Sequence, residues 1–209
     1  MKRLCIVNYY LYNIYHPELA RPFGGAEVQL YNYCEALKQK NEYDIHVLSL
    51  CVDQPSITTE AGITFWHQRR IATGRHWYRL MLDVFNVIRA CITLIHIRPD
   101  VCLARAASLD VGLMVWYARL FGKTSIYLTA SSIDVDGTFR QQSPPLIGWA
   151  YEYGLRHATT VFVQNGEQQN MLLRQYGRRA EILPNGFPVA TTSSSIKRST
   201  ILWVGRAQD

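Results

Sequence analysis

The chain has no uninterrupted apolar run long enough to cross a bilayer. The longest candidate, Leu80 to Ile97, is broken by Asp83, Asn86, Arg89 and His96, all costly in lipid. Paired cysteine spacing is also missing. Cys5, Cys34, Cys51, Cys91 and Cys102 lie far apart and are odd in number, which excludes a zinc-ribbon pattern and fits poorly with a disulfide framework. They read as reduced, buried thiols, with Cys5 and Cys102 inside apolar runs. No Gly-x-Gly-x-x-Gly follows the first apolar run, which disfavours a dinucleotide dehydrogenase. Basic tracts and nucleic-acid motifs are absent, so the net charge of +6 is dispersed; it suits a nucleotide, a phosphorylated lipid or an anionic membrane surface. Finally, the apolar stretch after Met1-Lys2-Arg3 is only Leu4 to Val7 before polar Asn8, too short for a secretory signal, so a cytoplasmic location is expected.

What is present is a chain of 209 residues, 48% of them hydrophobic, enough to bury one core and begin a second domain. Leu4 to Val7 is continuously apolar, as a parallel strand covered on both faces should be. Further strands are expected at Ile45 to Leu50, Ile63 to Trp66, Val101 to Ala104, Ser125 to Leu128, Thr160 to Val163, Glu181 to Leu183 and Ile201 to Val204. Helical spacing marks Ala26 to Lys38, His76 to Ile97, Leu109 to Phe121, Pro144 to His157 and Glu167 to Tyr176. This alternation predicts an α/β, Rossmann-like, doubly wound parallel sheet, with ligands bound beyond the carboxyl ends of the strands. Tyr9 to Gly25 reads as one long loop. A first domain over 1–189, a linker over 190–199 that contains the Ser/Thr-rich spacer, and the start of a second domain over 200–209 complete the expected layout.

Several residues sit where such a sheet builds its sites. Gly24 and Gly25 open the first helix, where backbone amides and the helix dipole favour an anion; Glu27 follows in the first turn. Arg105 directly follows a buried strand and suits a phosphate or a sugar hydroxyl, with a surface ion pair as the alternative. The stretch Thr129 to Gly137 offers the hydroxyls of Ser131 and Ser132 and the carboxylates of Asp134 and Asp136, suited to sugar recognition or proton transfer. Asp134-Val135-Asp136 also has the Asp-x-Asp spacing that holds a divalent cation, although two aspartates before a glycine equally describe a turn. Asn165 and Gln168 fit a capping box, and Pro184-Asn185-Gly186 a rigid turn. The segment from Arg69 to Arg89 mixes arginines with Trp77, Tyr78, Leu80, Leu82 and Phe85. It is either a basic amphipathic surface for anionic lipid or a core helix with a solvated face.

Four stretches agree in order with one family. Gly24-Gly25-Ala26-Glu27, Val161-Phe162-Val163 leading to Asn165, Ile182-Leu183-Pro184-Asn185-Gly186, and Ile201-Leu202-Trp203-Val204-Gly205-Arg206 together resemble the landmarks of GT-B glycosyltransferases of family 4. The resemblance implies the amino-terminal, acceptor-side half of a two-domain enzyme that transfers a sugar from a nucleotide diphosphate sugar to a glycan or lipid-linked acceptor in cell-surface polysaccharide assembly. It implies no cofactor and no metal. Asn185 would border the cleft, and Arg206 matches the arginine that neutralises the leaving diphosphate, although the lysine expected shortly after it is missing. Many relatives carry a histidine about where Ser131 stands, so Asp134 becomes the candidate for catalysis. On this reading the chain alone is inactive. A non-catalytic acceptor-binding half-protein and a metal-dependent GT-A enzyme using Asp134 and Asp136 are the alternatives.

Overall fold

The computed structural model describes residues 1–19, 21–50, 55–68 and 76–186, with the backbone alone over 76–84. The expected strand Ile201 to Val204, Arg206, the divisions 190–199 and 200–209, and the arginines Arg69, Arg70 and Arg75 lie outside the described residues.

The strands are β1 (Lys2–Val7), β2 (Tyr43–Leu50), β3 (Ile57–Glu60), β4 (Ile63–Gln68), β5 (Val101–Arg105), β6 (Thr124–Leu128), β7 (Thr160–Val163) and β8 (Glu181–Ile182). They form one eight-stranded sheet in the order β3-β4-β2-β1-β5-β6-β7-β8. Every pairing is parallel except that of β3 with β4. Between them run α1 (Tyr12–Tyr15), α2 (Gly25–Lys40), α3 (His76–Ile97), α4 (Leu109–Leu120), α5 (Thr138–Gln142), α6 (Pro145–His157) and α7 (Gly166–Tyr176). The expected α/β, doubly wound architecture is therefore the observed one.

Because side chains alternate across a strand, β1 feeds two cores. Leu4 and Ile6 pack with Leu30 and Cys34 of α2 and with Leu11 and Tyr12. Cys5 and Val7 pack on the other face with residues of α3, α4, α6 and α7. Cys5 lies opposite Cys102 in the β1–β5 register, and both are fully buried. On that second face α4 and α6 approach closely at glycines. A Cβ on Gly112 would fall 2.2 Å from the Ala150 carbonyl oxygen, and one on Gly154 would fall 2.8 Å from the Gly112 nitrogen. Only the missing side chains permit this contact.

Local chemistry sets the ends of these elements. Asn41 closes α2 in the left-handed conformation at φ 53°, after Lys38 and Lys40 in the last turn, where cations complement the dipole. The expected Tyr9 to Gly25 loop is partly ordered as α1 and a 3-10 turn at Pro17–Leu19, because Leu11 and Tyr12 are fully buried and pin it to the sheet. Among the described residues no helix is long and apolar enough to cross a membrane.

Candidate functional site at the switch point

Strand order turns about β1 and β5. β2 and β4 continue on one side of β1, and β6 to β8 on the far side of β5. Such a reversal leaves a crevice at the carboxyl ends of the two central strands. Val7 pairs with Ala104, so Asn8 and Arg105 follow as neighbours at that edge.

Asn8 organises the β1 side. Its buried side chain donates through Nδ2 to Glu27 Oε1 at 2.9 Å, while Oδ1 accepts the amides of Tyr10 and Leu11 at 3.0 and 2.8 Å. The other oxygen of Glu27 accepts the Gly24 amide at 2.8 Å. Glu27 therefore holds the start of α2 against the end of β1. Gly24 has an ordinary extended φ of −124°, and a Cβ on Gly25 would meet no atom within 4 Å. The chain's own packing thus makes no demand for glycine at Gly25.

On the β5 side Arg105 is 6% exposed. Its Nη2 donates to Asn185 Oδ1 at 2.8 Å across 80 residues of sequence, and its buried Nε has no hydrogen-bond partner. No carboxylate among the described residues is ion-paired with it, so in place of the surface ion pair weighed from sequence stands a buried cation. Ala106 follows at φ 68°, a left-handed conformation disfavoured for a residue with a Cβ.

Sequence reasoning passed over Tyr9 and Asp110, which meet here. The Tyr9 hydroxyl donates to Asp110 Oδ1 at 2.6 Å. Burial pushes the Asp110 carboxyl up, opposed by hydrogen bonds from Tyr9, its own backbone amide and Ser108. Burial and the adjacent Asp110 likewise hold the Tyr9 phenol protonated. The available signal was position, since both residues lie within a few residues of a strand's carboxyl end.

Beyond β6, Asp134 is 4% exposed, with its carboxylate turned into its own loop. Oδ2 accepts the Ala130 amide at 2.7 Å and the Ser131 amide at 3.4 Å, and Oδ1 accepts the Ser131 hydroxyl at 3.3 Å. The Tyr151 hydroxyl donates to the Asp134 carbonyl oxygen. Burial raises the Asp134 carboxyl, with these backbone donors pulling the other way. This bracing leaves Ser131 and Ser132 exposed at the carboxyl edge of the sheet. Asp136 points elsewhere: its Oδ1 accepts the Thr138 amide two residues on, at 2.8 Å, in the turn that leads into α5. Asn165 caps α7 by accepting the Gln168 amide at 2.9 Å. Gln168 does not complete the expected box, because its Oε1 accepts the Thr129 hydroxyl and the Gln164 amide instead.

Solved structures share this architecture. Sucrose-phosphate synthase from Thermosynechococcus elongatus matches with a TM-score of 0.57 at 11% identity, covering 88% of this chain and 47% of the synthase. The UDP-GlcNAc 2-epimerase from Neisseria meningitidis, solved with UDP-GlcNAc, matches with a TM-score of 0.56 at 13% identity over 87% of this chain and 45% of the epimerase. The epimerase from Methanocaldococcus jannaschii gives 0.53 at 14% identity over 88% and 45%. The chain thus spans about half the length of these proteins and has the Rossmann-like half of a GT-B fold. At this identity the likeness is one of fold, which transferases and epimerases share. No curated protein sequence matches. Residues 24–186 match the model of the glycosyl transferase 4-like domain, and the chain belongs to that family. This membership confirms the GT-B, family 4 resemblance and removes the GT-A alternative.

Proposed function

We propose that this chain is the acceptor-side half of a glycosyltransferase that moves a sugar from a nucleotide diphosphate sugar to a glycan or lipid-linked acceptor in cell-surface polysaccharide assembly. The observation that carries the reading is convergence at one edge. Gly24, Gly25, Glu27, Arg105, Ser131, Ser132 and Asn185, chosen from sequence, all fall at the carboxyl ends of the strands, where a second domain facing this one would close a cleft. Gly25, free of any packing demand, lets a ligand approach the first-turn amides of α2. Ser131 and Ser132 supply sugar-binding hydroxyls, and Asp134 is the positioning residue that presents them. Arg206 is assigned to charge neutralisation of the departing diphosphate, a task for preorganised positive charge.

The test is release of nucleoside diphosphate from a panel of nucleotide sugars, using the 209-residue chain and any longer protein its gene encodes. Turnover by a longer protein and none by the chain alone is the expected result. Full turnover by the chain alone would refute the half-cleft reading. Acceptor binding with no donor use in any form would favour a non-catalytic binding protein.

A surface observation supports peripheral contact with an anionic membrane from the cytoplasmic side. Phe85, Ile88, Ile92 and Ile95 form an exposed apolar stripe along α3, with the Arg89 guanidinium 5.8 Å from the Phe85 ring centre. Exposed Trp116 and Leu120 lie on α4 in the same helical layer. Among the described residues, Asp100 is paired with Lys123 and Glu152 with Arg140 and Arg156. A second copy would set cation against cation, whereas anionic headgroups complement them. Flotation with phosphatidylglycerol vesicles at low salt should carry the chain upward, and Ile92→Glu should abolish it; no flotation of the unaltered chain would remove the membrane reading.

A further inference from the structure

We infer that Arg105 seats a phosphoryl group of the bound substrate. The inference rests on the transferase reading for the substrate's identity, though not for the binding itself. A guanidinium stays charged at any pH the fold survives, so burial cannot be relieved by losing a proton. A buried charge without a counterion is costly, and such charges are almost always paired. Arg105 is nevertheless 94% buried, and among the described residues Nε is unbonded and Nη2 is satisfied by the neutral Asn185 amide oxygen alone.

The carboxylates at this end of the sheet are committed to other donors. Glu27 is held by Asn8 and Gly24, Asp110 by Tyr9, and Asp134 by Ala130 and Ser131. Among the described residues, then, no carboxylate is paired with Arg105, and a bound anion would supply the counterion. Two further features favour phosphate over carboxylate. The sixteen-residue helix α2 begins beside Asn8 with no side-chain hydrogen bond capping its first-turn amides, and tetrahedral phosphoryl oxygens can engage such amides and a guanidinium fork at once. Ala106 holds a left-handed φ directly after Arg105, the kind of backbone strain that persists where surroundings over-determine a functional geometry.

The experiment titrates the 209-residue chain with inorganic pyrophosphate, followed by calorimetry and thermal unfolding, in the unaltered form and as Arg105→Gln and Arg105→Lys. Saturable binding is expected, weakened about tenfold or more in Arg105→Gln and less in Arg105→Lys, for loss of a charge-assisted contact. Without ligand, Arg105→Gln should unfold at the same or a higher temperature, because a buried charge has been removed. Undiminished binding in Arg105→Gln, or no binding by the unaltered chain, overturns the assignment. If Arg105→Gln fails to fold, Arg105 is structural and the assignment also falls, unless Arg105→Lys folds and binds more weakly. Displacement of pyrophosphate by uridine diphosphate assigns the phosphoryl group to the donor, and displacement by farnesyl phosphate to a lipid-linked acceptor; displacement by neither counts against the site. Arg105-dependent binding without sugar transfer by any longer form would sink the transferase reading and leave this one standing.

Discussion

Replacing Asp134 separates a proton-transfer role from a bracing one. In Asp134→Ala the Ala130 amide loses the acceptor 2.7 Å away, and Ser131 loses its two longer contacts at 3.4 and 3.3 Å. An unsatisfied, partly buried amide costs about 1–3 kcal/mol. The longer contacts add little, and relief of the carboxylate's burial offsets part of the loss. A net destabilisation of about 2 kcal/mol follows, which for a domain of this size lowers the unfolding temperature by about 4–8 °C. Asp134→Asn keeps one oxygen for the Ala130 amide and should cost no more than about 1 kcal/mol. Thermal unfolding by circular dichroism reads both. Bracing predicts that Asp134→Ala is unstable, while Asp134→Asn is nearly normal in stability and, in any active longer form, in turnover. The reasoning is refuted if Asp134→Ala unfolds at the unaltered temperature while Asp134→Asn loses turnover by about 100-fold or more, the scale of a lost general acid or base.

Three further outcomes follow from the geometry. The Asp110 carboxyl is raised by burial; its favourable contribution is therefore complete below the unfolded aspartate value of about 3.9 and is lost as pH rises through the folded value. Asp110→Asn, which keeps an acceptor for Tyr9, should flatten that decline and unfold at a higher temperature at pH 7, read by thermal scans from pH 4 to pH 8. Gly112→Ala drives a methyl group into the Ala150 backbone and should cost about 3 kcal/mol, measured by urea unfolding. Ala106→Gly relieves the left-handed φ of 68° and should gain up to about 1 kcal/mol, measured the same way.

Much of this fold was legible because parallel strands buried on both faces are continuously apolar. β1 was found from such a run at Leu4 to Val7, the other parallel strands from short, mostly apolar stretches alternating with helical spacing, and the carboxyl end of α3 from Pro99. β3 escaped notice because Ile57-Thr58-Thr59-Glu60 has a single apolar residue and lies at the sheet edge. α1 and α5 escaped because four or five residues are too few for helical periodicity to show. At the site, Arg105 and Asn185 were each legible as residues, since strand ends and rigid turns have local signatures. Their hydrogen bond was not, because nothing in a one-dimensional pattern reports a contact across 80 positions. The same holds for Tyr9 with Asp110 and Asn8 with Glu27. The left-handed φ at Ala106 has no sequence signal at all, since alanine is not a turn residue.

The sheet's buried thiols give the molecule its own clocks. Burial pushes Cys34 and Cys102 up to about 12, and burial with the neighbouring Cys102 raises Cys5 well above the ordinary thiol range. Thiol reagents attack the exposed thiolate, so in the folded state these sulfurs are silent and become reactive only when their surroundings open. Cys34 belongs to the layer under α2, whereas Cys5 and Cys102 belong to the opposite layer. Labelling rates read peptide by peptide would therefore time the breathing of each side of the sheet separately, without altering a single residue.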